Sequence, residues 1–376
     1  MVVFVSCQPK NLEPVDEFKG LVCFCSIKDE HRQDQILEKW NSLCEDVGRN
    51  TIETSCLLIS QMVIQKPVMR NGEVDLFEDY LKVYLESKKG NDGATFFQTK
   101  LVPATKILQS FYDGTTTLDG VSEKKTLPSL SFLRAATQIR TSKDIEMVVL
   151  HLLNEYEACK SEVQRGDIED ELFELEGIAL WMMLAKPKPA VRRKRCFDIV
   201  NLRNPHKRVK KADKYYNPLA LTMDEKRDIL DCLDSGEFGK GVDSKIGKAI
   251  LERLNEHELI TSSQVKKIQY MQSTLQIEHI LPQKYTKVSK WVSHWKDDEA
   301  DAWMHRLGNL VLLNQKMNAK ISNGPFLEKR KHYKSSPYPM TRRISDIYKS
   351  QWTAKEVREN HSCVIDLAKQ VWFLMA

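Results

Sequence analysis

Between residues 277 and 320 the chain carries the side chains that phosphodiester hydrolysis needs. Ile277-Glu278-His279-Ile280-Leu281-Pro282-Gln283 opens the stretch. His305-Arg306-Leu307-Gly308-Asn309-Leu310-Val311-Leu312-Leu313 follows, and Asn314-Gln315-Lys316-Met317-Asn318-Ala319-Lys320 closes it. Cleaving a phosphodiester takes a base that activates water and a divalent cation that neutralises the developing charge. A neutral imidazole accepts a proton near pH 7, so His279 is the candidate base. Glu278 and Asn318 offer hard oxygens of the kind Mg²⁺ prefers, with Mn²⁺ as the alternative. Asn309 completes the candidate catalytic set with His279. Its amide can bridge two arms of the chain and hold His279 in orientation.

These residues need a scaffold. Leu275, Ile277 and His279 alternate along a short strand, which sends Glu278 and His279 to opposite sides of the backbone. Leu281-Pro282 re-aims the chain. Leu310 to Leu313 reads as a second strand. Gln315 onward reads as a helix, with Asn314 as N-cap and Asn318 in its first turns, facing back toward Glu278 and His279. Taken singly, each feature is ordinary, since a Glu-His pair is common on surfaces and Asn314, Asn318 and Asn323 suit turns and caps. The combination and spacing point to a site. His305, Arg306, Lys320 and Lys329 are candidate nucleic-acid contacts, although His305 and Arg306 fit structural roles more readily. Lys284, Lys287 and Lys296 interleave with Trp291 and Trp295. Such a pattern suits backbone and base contacts, but a packed cover is the better reading for the two tryptophans.

An acidic residue followed by His, a central Asn, and a second Asn nine residues later resembles the ββα metal site of HNH nucleases. More closely, Ile277 to Gln283 with Leu307-Gly308-Asn309-Leu310 resembles the C-terminal HNH domain of GmrSD-type restriction endonucleases, modification-dependent enzymes that cut modified phage DNA. Asn318, Asn323, Phe326, Lys329, Trp352, Arg358, Trp372 and the segment Lys248 to Leu254 extend the similarity. The resemblance implies that Glu278 and Asn318 hold the metal, that His279 is the general base and that Asn309 is structural. Glu278 stands where many HNH proteins have Asp, one methylene shorter. A weaker similarity runs through Leu12 to Lys19, Trp40 to Leu43, Phe77 to Leu81 and Arg192 to Cys196, and resembles the helical part linking the family's two modules. The family's N-terminal ParB-like motif for nucleotide use has no counterpart here, so that activity is not carried over. The expectation is a truncated gene product, or a second protein that supplies the missing module.

The remaining sequence sets the frame. At 376 residues there is room for two or three domains. The 41% hydrophobic and 29% charged content suits a globular protein. No apolar run approaches the ~20 residues of a membrane span, and the opening Met1 to Ser6 does not read as a signal peptide. Nine scattered cysteines form no Cys-x-x-Cys pair and read as buried free thiols. Helical patterns cover Asp34–Val47, Thr51–Met69, Val74–Leu85, Phe96–Tyr112, Ser129–Ile139, Ser142–Cys159 and Ile168–Met183. Three more are expected at Thr222–Leu233, Ser244–Leu254 and Ser262–Met271, and an amphipathic one at Trp352–Phe373.

From Lys186 to Lys214 there are twelve Lys or Arg against two Asp. Arg192, Arg193, Lys207 and Arg208 lie in its clusters. This stretch suits phosphate binding with steep salt dependence, a nuclear-import signal, or a solvated helix face plus linker. The net charge of +5 makes any nucleic-acid binding local. The expected fold is mainly α (α+β): a helical array at 1–185, a basic linker at 186–218, and at 219–376 a helical domain enclosing a small ββα-metal (HNH) module. The expected function is metal-dependent hydrolysis of DNA, with RNA also compatible. The alternative is a nucleic-acid-binding or scaffolding protein with a degenerate HNH fold. The expected setting is intracellular, cytoplasmic or nuclear, without membrane association.

Overall fold

A computed structural model describes residues 13–25, 27–65, 73–87, 91–116, 118, 123–139, 143–202, 217–262 and 270–375. The described residues are mainly helical, with a single two-stranded sheet among them. Two compact units interleave along the chain. One comprises 1–121, 142–168 and 189–218, and the other 122–141, 169–188 and 219–376. In this division by contacts the chain passes between the units several times.

In the first unit, helix Glu30–Val47 starts where the Asp29 carboxylate accepts the Arg32 N–H. Ile36, Trp40 and Leu43 recur at helical spacing and are buried. Gly48, at φ +81°, turns the chain into helix Arg49–Ile64. That helix ends earlier than Met69 because Gln65 adopts a left-handed conformation. Phe18, Phe77 and Phe96 form an aromatic core, and Trp40 stacks on Phe97 at 5.6 Å. The basic stretch is not a plain linker. Residues Pro189–Leu202 form a helix that packs on helix Lys143–Ala158. Arg192 donates to Asp144 at 2.8 Å, Arg193 lies 4.0 Å from the same carboxylate, and Lys194 pairs with Asp198 at 2.5 Å. Arg192 and Arg193 are thus tied to a buried aspartate rather than presented to phosphate. Lys207 and Arg208 lie outside the described residues.

In the second unit, helix α1 (Met223–Ser235) begins with a capping box, in which Thr222 and Glu225 satisfy each other's backbone N–H. Helix α2 (Asp243–Thr261) is longer than expected, and residues 263–269 of the helix expected after it lie outside the described set. Strand β1 (Leu275–His279) pairs antiparallel with β2 (Leu310–Asn314), with Ile277 opposite Leu312 and His279 opposite Leu310. Helix α3 (Gln315–Ile321) follows directly, capped by Asn314, whose side chain accepts from Lys316 N–H at 2.9 Å. Helices α4 (Phe326–Tyr333), α5 (Pro339–Ile347) and α6 (Ala354–Val371) close the domain.

The core around the sheet is built on Trp291, Trp295 and Trp352, all buried. Trp352 stacks on Phe326 and meets Tyr348 edge-on at 5.0 Å. Each such ring contributes on the order of 4–6 kcal/mol of gross burial energy. Their indole N–H groups are also used. Trp291 donates to Gly324 O and Trp295 to Trp352 O. Trp291 and Trp295 therefore form a packed cover, not an exposed stacking platform.

Helix α2 also brings ionised groups inside. Arg253 and Trp372 both donate to Glu176 Oε1, at 2.7 and 2.6 Å, and Tyr270 donates to Glu256 at 2.7 Å. Glu252 is fully buried, and both its oxygens accept from Met271 N–H. Burial, only partly opposed by Lys248, raises its carboxyl from 4.5 to about 8. Between those values the folded chain holds a proton that the unfolded chain has released. Stability therefore falls as pH rises through this window, by an order of a few kcal/mol. Glu252→Gln removes the titrating group. Thermal melts at pH 6 and pH 9 should show wild type losing ground to the variant at the higher pH, whereas a pH-independent difference would contradict the assignment.

Free cysteines are seven among the described residues, with Cys23, Cys56 and Cys196 buried. Cys363 departs from the expectation, being exposed. Among the described residues no helix is long and apolar enough to cross a membrane.

Candidate active site

The central turn is organised by Asn309, which is completely buried. Its Oδ1 accepts from Leu281 N–H at 2.8 Å and from the Trp352 indole at 3.0 Å. Its Nδ2 donates to Leu281 O at 3.1 Å and to Met304 O at 2.9 Å. A carboxamide has two donors and two acceptor positions, and all four are in use. The backbone adds a bond from Ile280 N–H to Asn309 O at 3.0 Å. Asn309 thus joins the segment just after His279 to the segment just before His305, and anchors both to Trp352.

Gly308 is needed for a related reason. A Cβ there would lie 2.5 Å from the His361 side chain and 2.7 Å from Val357 O on α6. The close approach lets Gly308 N–H donate to His361 Nδ1 at 3.1 Å while Asn360 donates to Gly308 O at 2.8 Å.

His279 ends β1, half-buried. Its Nε2 lies 3.2 Å from His305 Nδ1, with the two rings perpendicular. The Gln283 amide lies 3.4 Å from the same Nε2. Burial, reinforced by His305 and then by Lys329, lowers the imidazole from 6.5 to about 3. The ring is therefore neutral across the physiological range, and its basicity lies well below the near-neutral value that suits a general base. His305 is also lowered, first by its own burial and then by Lys240.

Glu278 points the other way and is buried. Its Oε1 accepts from Lys329 Nζ at 2.6 Å and from the Tyr333 hydroxyl at 2.9 Å. Lys329 Nζ also donates to His279 O at 2.7 Å. Phe326, Lys329 and Tyr333 share the inward face of α4 at helical spacing. Burial pushes the Glu278 carboxyl up and the Lys329 ammonium down, each opposed by its partner. Asn318 donates through Nδ2 to Gln276 Oε1 at 3.2 Å and to Ile277 O at 3.4 Å, which holds α3 against β1.

His279, His305 and Asn309 are therefore gathered at the His279 end of the sheet, while Glu278 turns to Lys329 and Tyr333 and Asn318 lies against Gln276 and Ile277. Lys329 is not a nucleic-acid contact: it is fully buried and neutralises Glu278. Arg306 is also engaged, donating to Asp234 O at 3.2 Å and lying 4.9 Å over the Trp303 ring. Lys320 is exposed on the last turn of α3. Sequence reasoning missed Tyr333 and Gly239. Tyr333 could have been found, because a lysine on the apolar stripe of α4 needs a buried anion and that anion invites a second donor. Gly239 carried no comparable signal, because its role depends on a loop packing against a distant strand.

The comparison with protein families fits this geometry. Residues 224–367, from α1 into α6, match the model described as GmrSD restriction endonucleases, C-terminal domain. Searches of the curated proteins and of the solved structures gave no match. Over residues 224–367, less than half of its length, the chain is similar to the C-terminal domain of GmrSD restriction endonucleases.

Proposed function

We propose that this domain is a metal-dependent endonuclease of the HNH type that hydrolyses phosphodiester bonds in DNA. The observation that carries the reading is a half-buried His279 at the end of β1, with Glu278 beside it in sequence and Asn318 on the helix packed against that strand. The donor set fits a hard divalent cation. Both side-chain hydrogen bonds to Glu278 fall on Oε1, and a cation would compete for this carboxylate with Lys329, Tyr333 and the His279 backbone N–H. Asn318 donates through Nδ2, which leaves Oδ1 for a cation. Glu278 and Asn318 would hold Mg²⁺ or Mn²⁺, with water completing the shell. When bound, such a cation supplies charge neutralisation at the phosphate.

The chain's own residues do the rest. His279 accepts the proton of the attacking water as its oxygen bonds to phosphorus. The bond from phosphorus to the 3′ oxygen breaks, and that oxygen takes a proton from solvent water, leaving a 5′ phosphate and a 3′ hydroxyl. Asn309 keeps His279 in register, and Lys329 with Tyr333 fixes the Glu278 carboxylate. Incubation with plain and base-modified plasmid should give Mg²⁺- or Mn²⁺-dependent nicks or breaks with ligatable 5′-phosphate ends. His279→Ala should cut about 10²–10⁴-fold more slowly. Metal-dependent cleavage that survives this substitution would contradict the reading.

One observation favours a second reading, a nucleic-acid-binding module that keeps the fold without cutting. Lys329 already neutralises Glu278, which weakens the charge available to a cation. DNA binding without cleavage across several metals would support that reading.

A further inference from the structure

We infer that Lys284, Lys287 and Lys290 form a phosphate-binding ridge along which the backbone of DNA runs up to His279. The identity of the partner rests on the nuclease reading, and the ridge itself rests on the fold. From Pro282 to His294 the chain advances in turns of three residues. Tyr285 N–H donates to Pro282 O, Val288 to Tyr285 O, Trp291 to Val288 O and His294 to Trp291 O, all at 2.9 to 3.0 Å. Two short helical turns, Tyr285–Lys287 and Ser289–Val292, meet at an extended Val288. With this repeat, side chains three apart fall on one side of the segment. Tyr285 and Trp291 are buried, and Val288 packs half-buried against the same core. The residue before each of them is a lysine, and all three lysines are exposed.

The inward row fixes the outward one. The Tyr285 hydroxyl donates to Asp297, and the Trp291 indole donates to Gly324 O at 3.1 Å. The lysines thus project from a backbone held by core packing, which is the support a binding row needs. The ridge also starts at the site. Gln283, the residue before Lys284, brings its amide to 3.4 Å from His279 Nε2. Phosphates lying on the ridge are therefore neighbours of the one presented to His279.

The charge of this row is uncompensated. From His279 to Lys296 the chain carries four Lys and no Asp or Glu. The ammonium groups of Lys284, Lys287 and Lys290 make no hydrogen bond or ion pair among the described residues. Lys290 lies within electrostatic reach of Glu328, but both oxygens of Glu328 already accept from Lys331, at 2.8 and 3.0 Å. Elsewhere in this unit lysines have carboxylates of their own, as in Lys240 with Glu237 and Lys369 with Asp366. Three residues at a rise of about 2 Å set successive lysines roughly 6 Å apart, a step close to that between neighbouring phosphates of one strand. Like charges so spaced repel one another, and a polyanion relieves the repulsion. Thr286 and Ser289 are exposed between the lysines and add hydroxyl donors. The aromatic rings of the segment are turned inward, so the ridge reads backbone charge and does not stack on bases.

The test is binding of a fluorescently labelled DNA duplex to the full chain in chelator, over a series of salt concentrations. In the triple variant Lys284→Gln, Lys287→Gln, Lys290→Gln, the slope of log K against log salt should fall in magnitude by roughly 2–3. The corresponding triple Arg variant should keep the wild-type slope. A control that changes Lys226, Lys355 and Lys369 on α1 and α6 to Gln should leave it nearly unchanged. An unchanged slope in the ridge variant, an equal fall in the control, or a wild type that does not bind duplex would each overturn the proposal. Binding is read without cleavage, so a wild type that binds through the ridge and never cuts would sink the nuclease reading and leave the ridge in place.

Discussion

Asn309→Ala should destabilise the second unit by about 4 kcal/mol or more. Truncation removes four hydrogen bonds inside a fully buried turn. Two N–H groups, on Leu281 and Trp352, and two carbonyls, on Leu281 and Met304, then lack partners. Each buried orphan costs roughly 1–3 kcal/mol, and the space left by the side chain is small. Asn309→Asp is the sharper companion. It keeps shape and both acceptor positions but turns two donors into an oxygen facing two carbonyls, so it should be at least as damaging. Tryptophan fluorescence during thermal unfolding is a suitable readout. Trp181, Trp291, Trp295, Trp303, Trp352 and Trp372 of the chain's seven tryptophans belong to this unit. A loss below about 1 kcal/mol would mean that Asn309 does not hold the turn.

Lys329→Met should cost about 3–5 kcal/mol, because it leaves a buried carboxylate without its counter-charge. The loss belongs to Glu278 more than to Lys329. The double variant Lys329→Met with Glu278→Leu should therefore recover much of the stability while remaining unable to hold a cation. The single variant also separates two roles for the lysine. A surface lysine that contacts phosphate would lower the salt dependence of DNA binding when removed. Lys329 is completely buried, so the salt slope should be unchanged in any variant population that remains folded.

Much of the nuclease region could be read from the chain itself. The strand–loop–strand–helix order, the Asn314 cap and the bridging amide of Asn309 all follow from local pattern and turn chemistry, and these are short-range in origin. The opposed directions of Glu278 and His279 follow from strand alternation alone. Long-range features were less legible. That Lys329 is inward, that Arg306 reaches Asp234 O and that Gly239 lies against His279 depend on contacts across 40 to 72 positions, from Gly239 to His279 at the shortest and from Asp234 to Arg306 at the longest. The basic stretch misled for a different reason. Its charge density suggested a solvated linker, but Asp144, far upstream, draws Arg192 and Arg193 onto a packed helix. Interleaved units have no signature in composition, because each crossing is made by a segment with ordinary helical periodicity.

The most direct test of the central claim is a side-by-side cleavage assay on supercoiled plasmid, plain and base-modified, with Mg²⁺ or Mn²⁺ and with chelator. Wild type and His279→Ala are compared at matched folded concentration. The account predicts cleavage by wild type with metal, none with chelator, and a fall of about 10²–10⁴-fold in the variant. Equal metal-dependent cleavage by both proteins would remove His279 from the chemistry and contradict the account.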